Sequence, residues 1–166
     1  MNMTIGFAAV SMALFACAHQ TNETRSAASA PSALERGRYL VQIAGCNDCH
    51  TAGYMAQAGK VDEKLWLTGD ALGWQGPWGT TYAPNLRLHM QQLTEEQWLQ
   101  EARTREMRPP MPWYLLRVMP DEDLRAIYVF TRSLGEPGKQ APAYLPPGIE
   151  PPPPYFKAVF PPAPGG

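Results

Sequence analysis

The chain has 166 residues, enough for one domain with a hydrophobic core and too few to expect two. Apolar residues make up 45 % of the sequence and charged residues 17 %, which is typical of a globular protein. The formal net charge of −1 argues against nucleic acid as a partner, because binding to phosphates requires a basic surface.

Residues 1–17 predict an export signal. An apolar run too short to span a bilayer comfortably precedes Cys17, and a polar stretch follows it. The small and apolar residues before Cys17 resemble a bacterial lipoprotein cleavage site, which would make Cys17 a lipid-bearing first residue on the periplasmic side of a membrane. An ordinary cleaved signal and an uncleaved short anchor are the alternatives. Residues 18–31, rich in Ala, Thr, Ser and Asn, predict a flexible spacer.

The main domain is predicted to span residues 32–135 and to begin with a helix. Ser32 and Glu35 stand in the S-x-x-E arrangement of a capping box. Apolar residues and glycine then recur at helical spacing as far as Gly45, so we expect the first helix to end there.

Two further helices are predicted in this domain. Thr94 and Gln97 form a second capping box, which begins a helix that runs to about Arg105. Asp121 has the character of an N-cap for the last helix, and Gly135 lies where a glycine usually ends a helix.

Three other segments are predicted to be irregular. Glycines and prolines interrupt residues 51–93, where aromatic residues are dense, so we expect a loop wrapped around something flat and apolar. Residues 108–113, Arg-Pro-Pro-Met-Pro-Trp, cannot be helical and predict a stiff extended strap. Residues 136–166 hold eleven of the eighteen prolines and predict a polyproline-like tail that is not a packed element. Whether this tail wraps its own domain or docks on another subunit stays open.

The motif Cys46-Asn47-Asp48-Cys49-His50 has the C-x-x-C-H spacing of covalent haem attachment. About one helical turn separates the two cysteines, so both sulfurs can reach the vinyl groups on one haem edge, while His50 directs its imidazole at the iron. One covalent haem c is therefore the predicted cofactor. Its attachment outside the cytoplasm agrees with the export signal.

Three other uses of these residues are disfavoured. In a zinc site, the adjacent Cys49 and His50 would make an awkward tetrahedral pair, and the only other histidines are His19 and His89. A disulfide between Cys46 and Cys49 would be strained across two residues. A thioredoxin-like redox pair would need βαβ flanks, and these flanks are helical or irregular.

Met111 is the predicted second axial ligand. The flanking prolines stiffen its segment, and it follows His50 by 61 residues, enough chain to cross from one haem face to the other. His/Met ligation raises the reduction potential, which suits an acceptor of electrons. A methionine is more often core filler, and the rival ligands are Met90, Met107, Met119 and His89.

The chain resembles the class I cytochromes c with a single haem. The matching features are Gly37 before CNDCHT, the segments WGTTYAPNL and PPMPW, and the closing DEDLRAIYVFTRSLG. The two middle segments are similar in particular to the cytochrome c domains of bacterial alcohol and aldehyde dehydrogenase subunits. The resemblance implies an all-α fold with helices around one covalently bound haem, extended here by the proline-rich tail.

The resemblance also implies two contacts. The first and last helices would cross closely, with Gly37 meeting Tyr128 or Phe130; the alternative is a weak point in the helix that costs about 1 kcal/mol. A backbone carbonyl in residues 76–84 would accept the Nδ1 hydrogen of His50.

Five polar or aromatic residues are expected in the haem pocket. Asn85 or an indole would lie near the propionates, and an ordinary core position is the competing interpretation for each residue. The five are Tyr82, Asn85, Trp98, Trp113 and Tyr114.

The predicted function is one-electron transfer in a bacterial periplasmic respiratory or dehydrogenase chain, with a redox protein as partner and no enzymatic activity of its own. If Met111 is not a ligand, the alternative is an open haem that acts as a gas sensor or weak peroxidase. A third alternative is a structural subunit with a vestigial haem. Four arginines near the strap suggest either a positive rim for an acidic partner or, slightly favoured, solvated helix charges beside Glu101 and Glu106. They are Arg103, Arg105, Arg108 and Arg117.

Overall fold

The computed structural model describes Met1, residues 31–135 and residues 138–161. The predicted export signal after Met1, including Cys17, and nearly all of the predicted spacer lie outside this part. None of the helices in the described part is both long enough and apolar enough to cross a bilayer.

The described residues form helices and a small sheet. The α-helices are α1 (Ala33–Ile43), α2 (Cys46–His50), α3 (Leu86–Gln91), α4 (Glu95–Thr104) and α5 (Asp121–Ser133). Two 3-10 helices span Glu63–Leu65 and Trp113–Val118. The strands are β1 (Gly73–Gly76), β2 (Gly79–Tyr82) and β3 (Tyr155–Lys157).

Both predicted capping boxes are confirmed. The backbone N–H of Glu35 donates to Ser32 Oγ at 3.3 Å, and the Glu35 carboxylate accepts from the Ser32 N–H at 2.8 Å. Thr94 and Gln97 form the same pair of bonds at the start of α4, at 3.2 and 2.8 Å. These bonds satisfy amides that a helix leaves without a partner, so they define where α1 and α4 begin.

The last helix is confirmed with one change at its start. Pro120 is the N-cap and Asp121 is the first helical residue, so the prediction that Asp121 caps α5 is wrong. The Asp121 carboxylate instead accepts a bond from Arg103 at 2.5 Å. Gly135 follows the helix with φ 77°, the left-handed conformation expected after a helix end.

Gly37 has the predicted packing role, because α1 and α5 cross at this point. A Cβ at Gly37 would lie 2.0 Å from the carbonyl oxygen of Ala126 and 2.7 Å from the Cβ of Phe130. Phe130 is therefore the aromatic partner, whereas Tyr128 donates its hydroxyl to the Leu93 carbonyl at 2.8 Å. The crossing anchors the core, whose largest members include Leu40, Val41, Trp66, Leu67, Met90, Trp98, Leu124, Ile127 and Phe130.

The prediction of an all-α fold is wrong, since the chain also forms a three-stranded sheet in the order β2-β1-β3. β1 and β2 are antiparallel around the two-residue connection of Pro77 and Trp78, and β3 is parallel to β1. The glycines of this segment indicated a loop. The opposing signal lay in Thr80, Thr81 and Tyr82, which favour strands, and in the two-residue spacing of a hairpin.

The predicted loop over residues 51–93 is also partly wrong, because it includes β1, β2 and α3. Asn85 begins α3 by accepting bonds from the backbone N–H groups of Arg87 and Leu88 at 3.0 and 3.1 Å. An asparagine before an apolar segment is an N-cap signal, and α3 is so short that its periodicity is weak.

The tail contradicts the prediction of an unpacked polyproline segment. Leu145 and Thr80 exchange two backbone hydrogen bonds, at 2.8 and 3.0 Å, and β3 extends the sheet beside β1. Of the two arrangements left open, the described tail residues adopt the one that wraps their own domain.

Candidate functional site

A cavity of about 770 Å³ lies between α2, the segment after β2, α4, the strap and the tail. Its volume falls within the range of about 300–1,000 Å³ that is usual for cofactor and ligand pockets. The wall is mainly apolar and aromatic, and it includes Trp74, Tyr82, Leu86, Trp98, Leu115 and Ile127. Such a cavity suits a large, flat and mostly apolar group.

The C-x-x-C-H motif forms α2 at one side of this cavity. Gly45 turns the chain between α1 and α2 with φ 69°, and Cys46, Cys49 and His50 all line the cavity. The turn that follows is held by the buried Asn47, whose side-chain oxygen accepts from the Thr51 hydroxyl at 2.7 Å. The structure therefore presents both sulfurs and the imidazole to one space.

His50 is oriented by a backbone carbonyl, as the resemblance implied. Its Nδ1 lies 2.9 Å from the Pro84 carbonyl oxygen, within the predicted range of residues 76–84. A neutral ring that donates from Nδ1 keeps a lone pair on Nε2, the atom left to bind a metal. Burial lowers the pKa of His50, against the opposite effect of the Pro84 carbonyl, so the ring favours this neutral form.

The two thiols have the properties of inert sulfurs. Cys46 and Cys49 are free cysteines, and burial raises the pKa of Cys46 to about 11. Burial also raises the pKa of Cys49, and the charge of Asp48 acts in the same direction. Reactive redox cysteines have a lowered pKa, so this environment disfavours thiol redox chemistry and suits uncharged thioethers.

Zinc coordination has no further support in the described part of the chain. Within residues 31–135 and 138–161, no three His, Cys, Asp or Glu side chains are grouped so that they could hold a metal ion. A structural zinc site needs four such ligands.

The strap brings a thioether to the same cavity. Residues 108–112 contain no helix, as predicted, but the prediction is wrong at Trp113, which begins the following 3-10 helix. The strap is also not extended, because Pro109 and Pro110 form a turn. Met111 lines the cavity and closes a turn, with its N–H donating to the Arg108 carbonyl at 3.3 Å. The three rival methionines line the cavity too: Met90, Met107 and Met119.

His89 also lines the cavity, but its Nε2 is engaged. It lies 2.7 Å from Glu101 Oε1, which also accepts a bond from Arg105 at 2.7 Å. A ring nitrogen bonded in this way is not available to iron, so His89 is a weaker rival to Met111.

The predicted pocket residues divide into two groups. Tyr82 and Trp98 line the cavity, and the Trp98 indole N–H donates to the Leu124 carbonyl at 2.8 Å. The other three lie outside the cavity wall: Asn85 caps α3, and Trp113 and Tyr114 contact each other in the 3-10 helix. Sequence reasoning missed several members of the wall, among them Leu86, Ile127 and Tyr144. Tyr144 was missed because it lies in the tail, which was expected not to pack.

The arginines near the strap all have partners within the chain. Arg103 donates to three backbone carbonyls and to Asp121, and Arg105 pairs with Glu101. Arg117 stacks on the Trp113 ring at 4.3 Å from its centroid. The guanidinium of Arg108 lies 3.8 Å from the centroid of the Tyr144 ring.

Comparisons of this chain with protein-family models, curated proteins and solved structures find no match. The resemblance to class I cytochromes c therefore stays a prediction.

The residues around the cavity fit a covalently held haem. Two uncharged sulfurs one helical turn apart, a neutral imidazole with its Nδ1 held and a thioether all face one apolar space. This donor set matches the attachment and the His/Met ligation of c-type haem.

Proposed function

We propose that the chain is a c-type cytochrome that carries one electron at a time in a bacterial periplasmic respiratory or dehydrogenase chain. One observation carries the proposal: Cys46, Cys49, His50 and Met111 line a single apolar cavity. Cys46 and Cys49 would hold the porphyrin through thioethers, and His50 and Met111 would be the axial ligands.

A bound haem supplies a one-electron couple between ferrous and ferric iron. The protein's own contribution is to hold both ligands and to keep water away. Pro84 restrains the ring of His50, and the prolines around Met111 restrict the backbone that presents the thioether. Restrained ligands need little rearrangement when the charge of the site changes, which favours rapid electron transfer.

The proposed partner is a redox protein, either a dehydrogenase that donates electrons or an oxidase or second cytochrome that accepts them. The chain binds no substrate in this proposal and is not itself an enzyme. Export, and attachment to a membrane through a lipid on Cys17, belong to the same proposal and concern residues outside the described part.

Mass spectrometry of the mature protein tests the attachment. The full chain is produced in a bacterium that can attach haem in the periplasm, and we expect a mass gain of one haem on the peptide that contains Cys46 and Cys49. A variant with both cysteines changed to Ser is expected to lose the gain, whereas His89→Ala keeps it. A wild-type protein without a tetrapyrrole adduct on these cysteines would overturn the proposal.

Absorption spectra test the ligation. We expect the ferric protein to show the weak long-wavelength band of thioether ligation, and the ferrous protein not to bind carbon monoxide readily. A haem that is attached but lacks this band and binds carbon monoxide would favour the open-site alternative, a gas sensor or weak peroxidase.

A further inference from the structure

The tail is fastened to the hairpin beside the cavity. The reciprocal bonds between Leu145 and Thr80 join the tail to β2. At the neighbouring Gly79, a Cβ would lie only 2.2 Å from the Leu145 carbonyl oxygen. This close contact places Tyr144, the residue before Leu145, over the cavity.

Tyr144 makes two contacts from this place and also lines the cavity. Its hydroxyl donates to the Trp78 carbonyl at 2.8 Å, and its half-buried ring lines the cavity. The Arg108 guanidinium lies over the ring, 3.8 Å from the centroid. The hydroxyl bond holds the tyrosine on the hairpin, and the ring supplies the face on which the cation rests.

Arg108 is the first residue of the turn that presents Met111. The Arg108 carbonyl accepts the Met111 N–H at 3.3 Å, and the two residues between them are prolines. Because prolines restrict φ, this turn has few internal degrees of freedom. The position of Arg108 therefore restricts where the backbone of Met111 lies, and with it the region that the thioether can reach.

We propose that Tyr144 is a positioning residue for Met111, acting through Arg108, and that the tail thereby forms part of the cofactor site. The inference rests on the proposed function, in which Met111 is an iron ligand. Tyr144 itself touches no reacting atom. Its ring restrains the strap and covers the cavity wall next to it, which makes it harder for an external base to displace the thioether.

The test is an imidazole titration of the ferric full-chain protein. Loss of a cation–π contact to an exposed arginine predicts that Tyr144→Ala binds imidazole about two- to fivefold more tightly than the wild type. Tyr144→Phe keeps the ring and is expected to stay closer to the wild type. Tyr155→Ala is the matched control, because it removes a tail tyrosine whose hydroxyl bonds Glu150 and which does not line the cavity.

Hydrogen exchange provides a second readout that needs no ligand. We expect the amide of Met111 to exchange faster in Tyr144→Ala than in the wild type, and to be unchanged in Tyr155→Ala. A variant with unchanged imidazole binding and unchanged exchange would overturn the inference. Equal effects of Tyr144→Ala and Tyr155→Ala would also overturn it, because the effect would then come from the packing of the tail in general and not from the contact between Tyr144 and Arg108.

Arg108→Gln tests the other partner of the contact and serves if Tyr144→Ala does not fold. It is expected to tighten imidazole binding to a similar degree, and adding Tyr144→Ala to it is expected to change the binding little further. Additive effects would contradict the proposed route through Arg108. A wild-type protein with an attached haem and no thioether band would overturn the proposed function and this inference together, whereas an intact band with unresponsive variants overturns the inference alone.

Discussion

The orientation of His50 depends on a residue far away in the chain. Pro84 lies 34 residues after His50, and its carbonyl oxygen is 2.9 Å from Nδ1. Burial favours the neutral ring, and the bond to Pro84 makes Nδ1 the donor, so the lone pair of the neutral ring lies on Nε2. The C-x-x-C-H motif therefore supplies the imidazole, and the Pro84 carbonyl sets the orientation of its ring.

Met111→Ala tests the second ligand. We expect the ferric protein to lose the long-wavelength thioether band and the reduction potential to fall, because His/Met ligation is the arrangement that raises it. The measurements are absorption spectra and a potentiometric titration. Met107→Ala is the matched control, since Met107 lines the same cavity close to the strap and is expected to keep both properties. The reverse result would assign the ligand role to Met107.

Helices α1 and α5 depend on each other because their backbones approach closely. Gly37 allows this approach, and the buried Asp123 carboxylate accepts bonds from Arg36 at 2.8 and 3.1 Å beside it. The crossing places the end of α1, and therefore α2 with its cysteines, next to the core.

Gly37→Ala is expected to destabilise the protein by about 2 kcal/mol. Inserting a methyl group into a packed contact usually costs about 1–3 kcal/mol, and the upper end applies here because the group would lie 2.0 Å from a backbone oxygen. The higher helix propensity of alanine offsets about 1 kcal/mol of that cost. Urea unfolding measures the difference. Gln42→Ala, at an exposed position of α1, is expected to change stability by less than about 0.5 kcal/mol. A stabilised Gly37→Ala protein would contradict the close crossing.

At the scale of the whole molecule, one buried cation joins separate segments. Arg87 is 2 % exposed and donates to the carbonyls of Trp66, Glu63, Lys64 and Leu134, at distances of 2.6 to 3.0 Å. These carbonyls belong to the first 3-10 helix, the residue after it and the end of α5. The guanidinium therefore links α3 to the first 3-10 helix and to the end of α5.

Arg87→Met is expected to cost about 3 kcal/mol, because several carbonyls would lose a charged donor that water cannot easily replace. Thermal or urea unfolding measures the loss. The control is Arg125→Met, which breaks an ion pair with Glu95 whose side chains are both partly exposed, and it should cost about 1 kcal/mol or less. Equal losses in the two variants would show that the buried hydrogen bonds of Arg87 contribute no more to stability than the partly exposed ion pair of Arg125.

The sequence alone determined the features that depend on near neighbours. The C-x-x-C-H motif, the capping boxes at Ser32 and Thr94 and the non-helical prolines around Met111 each reside in a few consecutive residues, where local sterics and hydrogen bonds decide the conformation.

Contacts between distant segments depend on tertiary packing and could not be read from the sequence. The parallel pairing of β3 with β1, the Pro84 carbonyl at His50 and the place of Tyr144 beside Arg108 all join residues far apart in the chain. A short glycine-rich strand or a proline-rich tail carries too weak a pattern to indicate its partner. It becomes ordered because packing and hydrogen bonds in the folded chain outweigh its local preference for a loop.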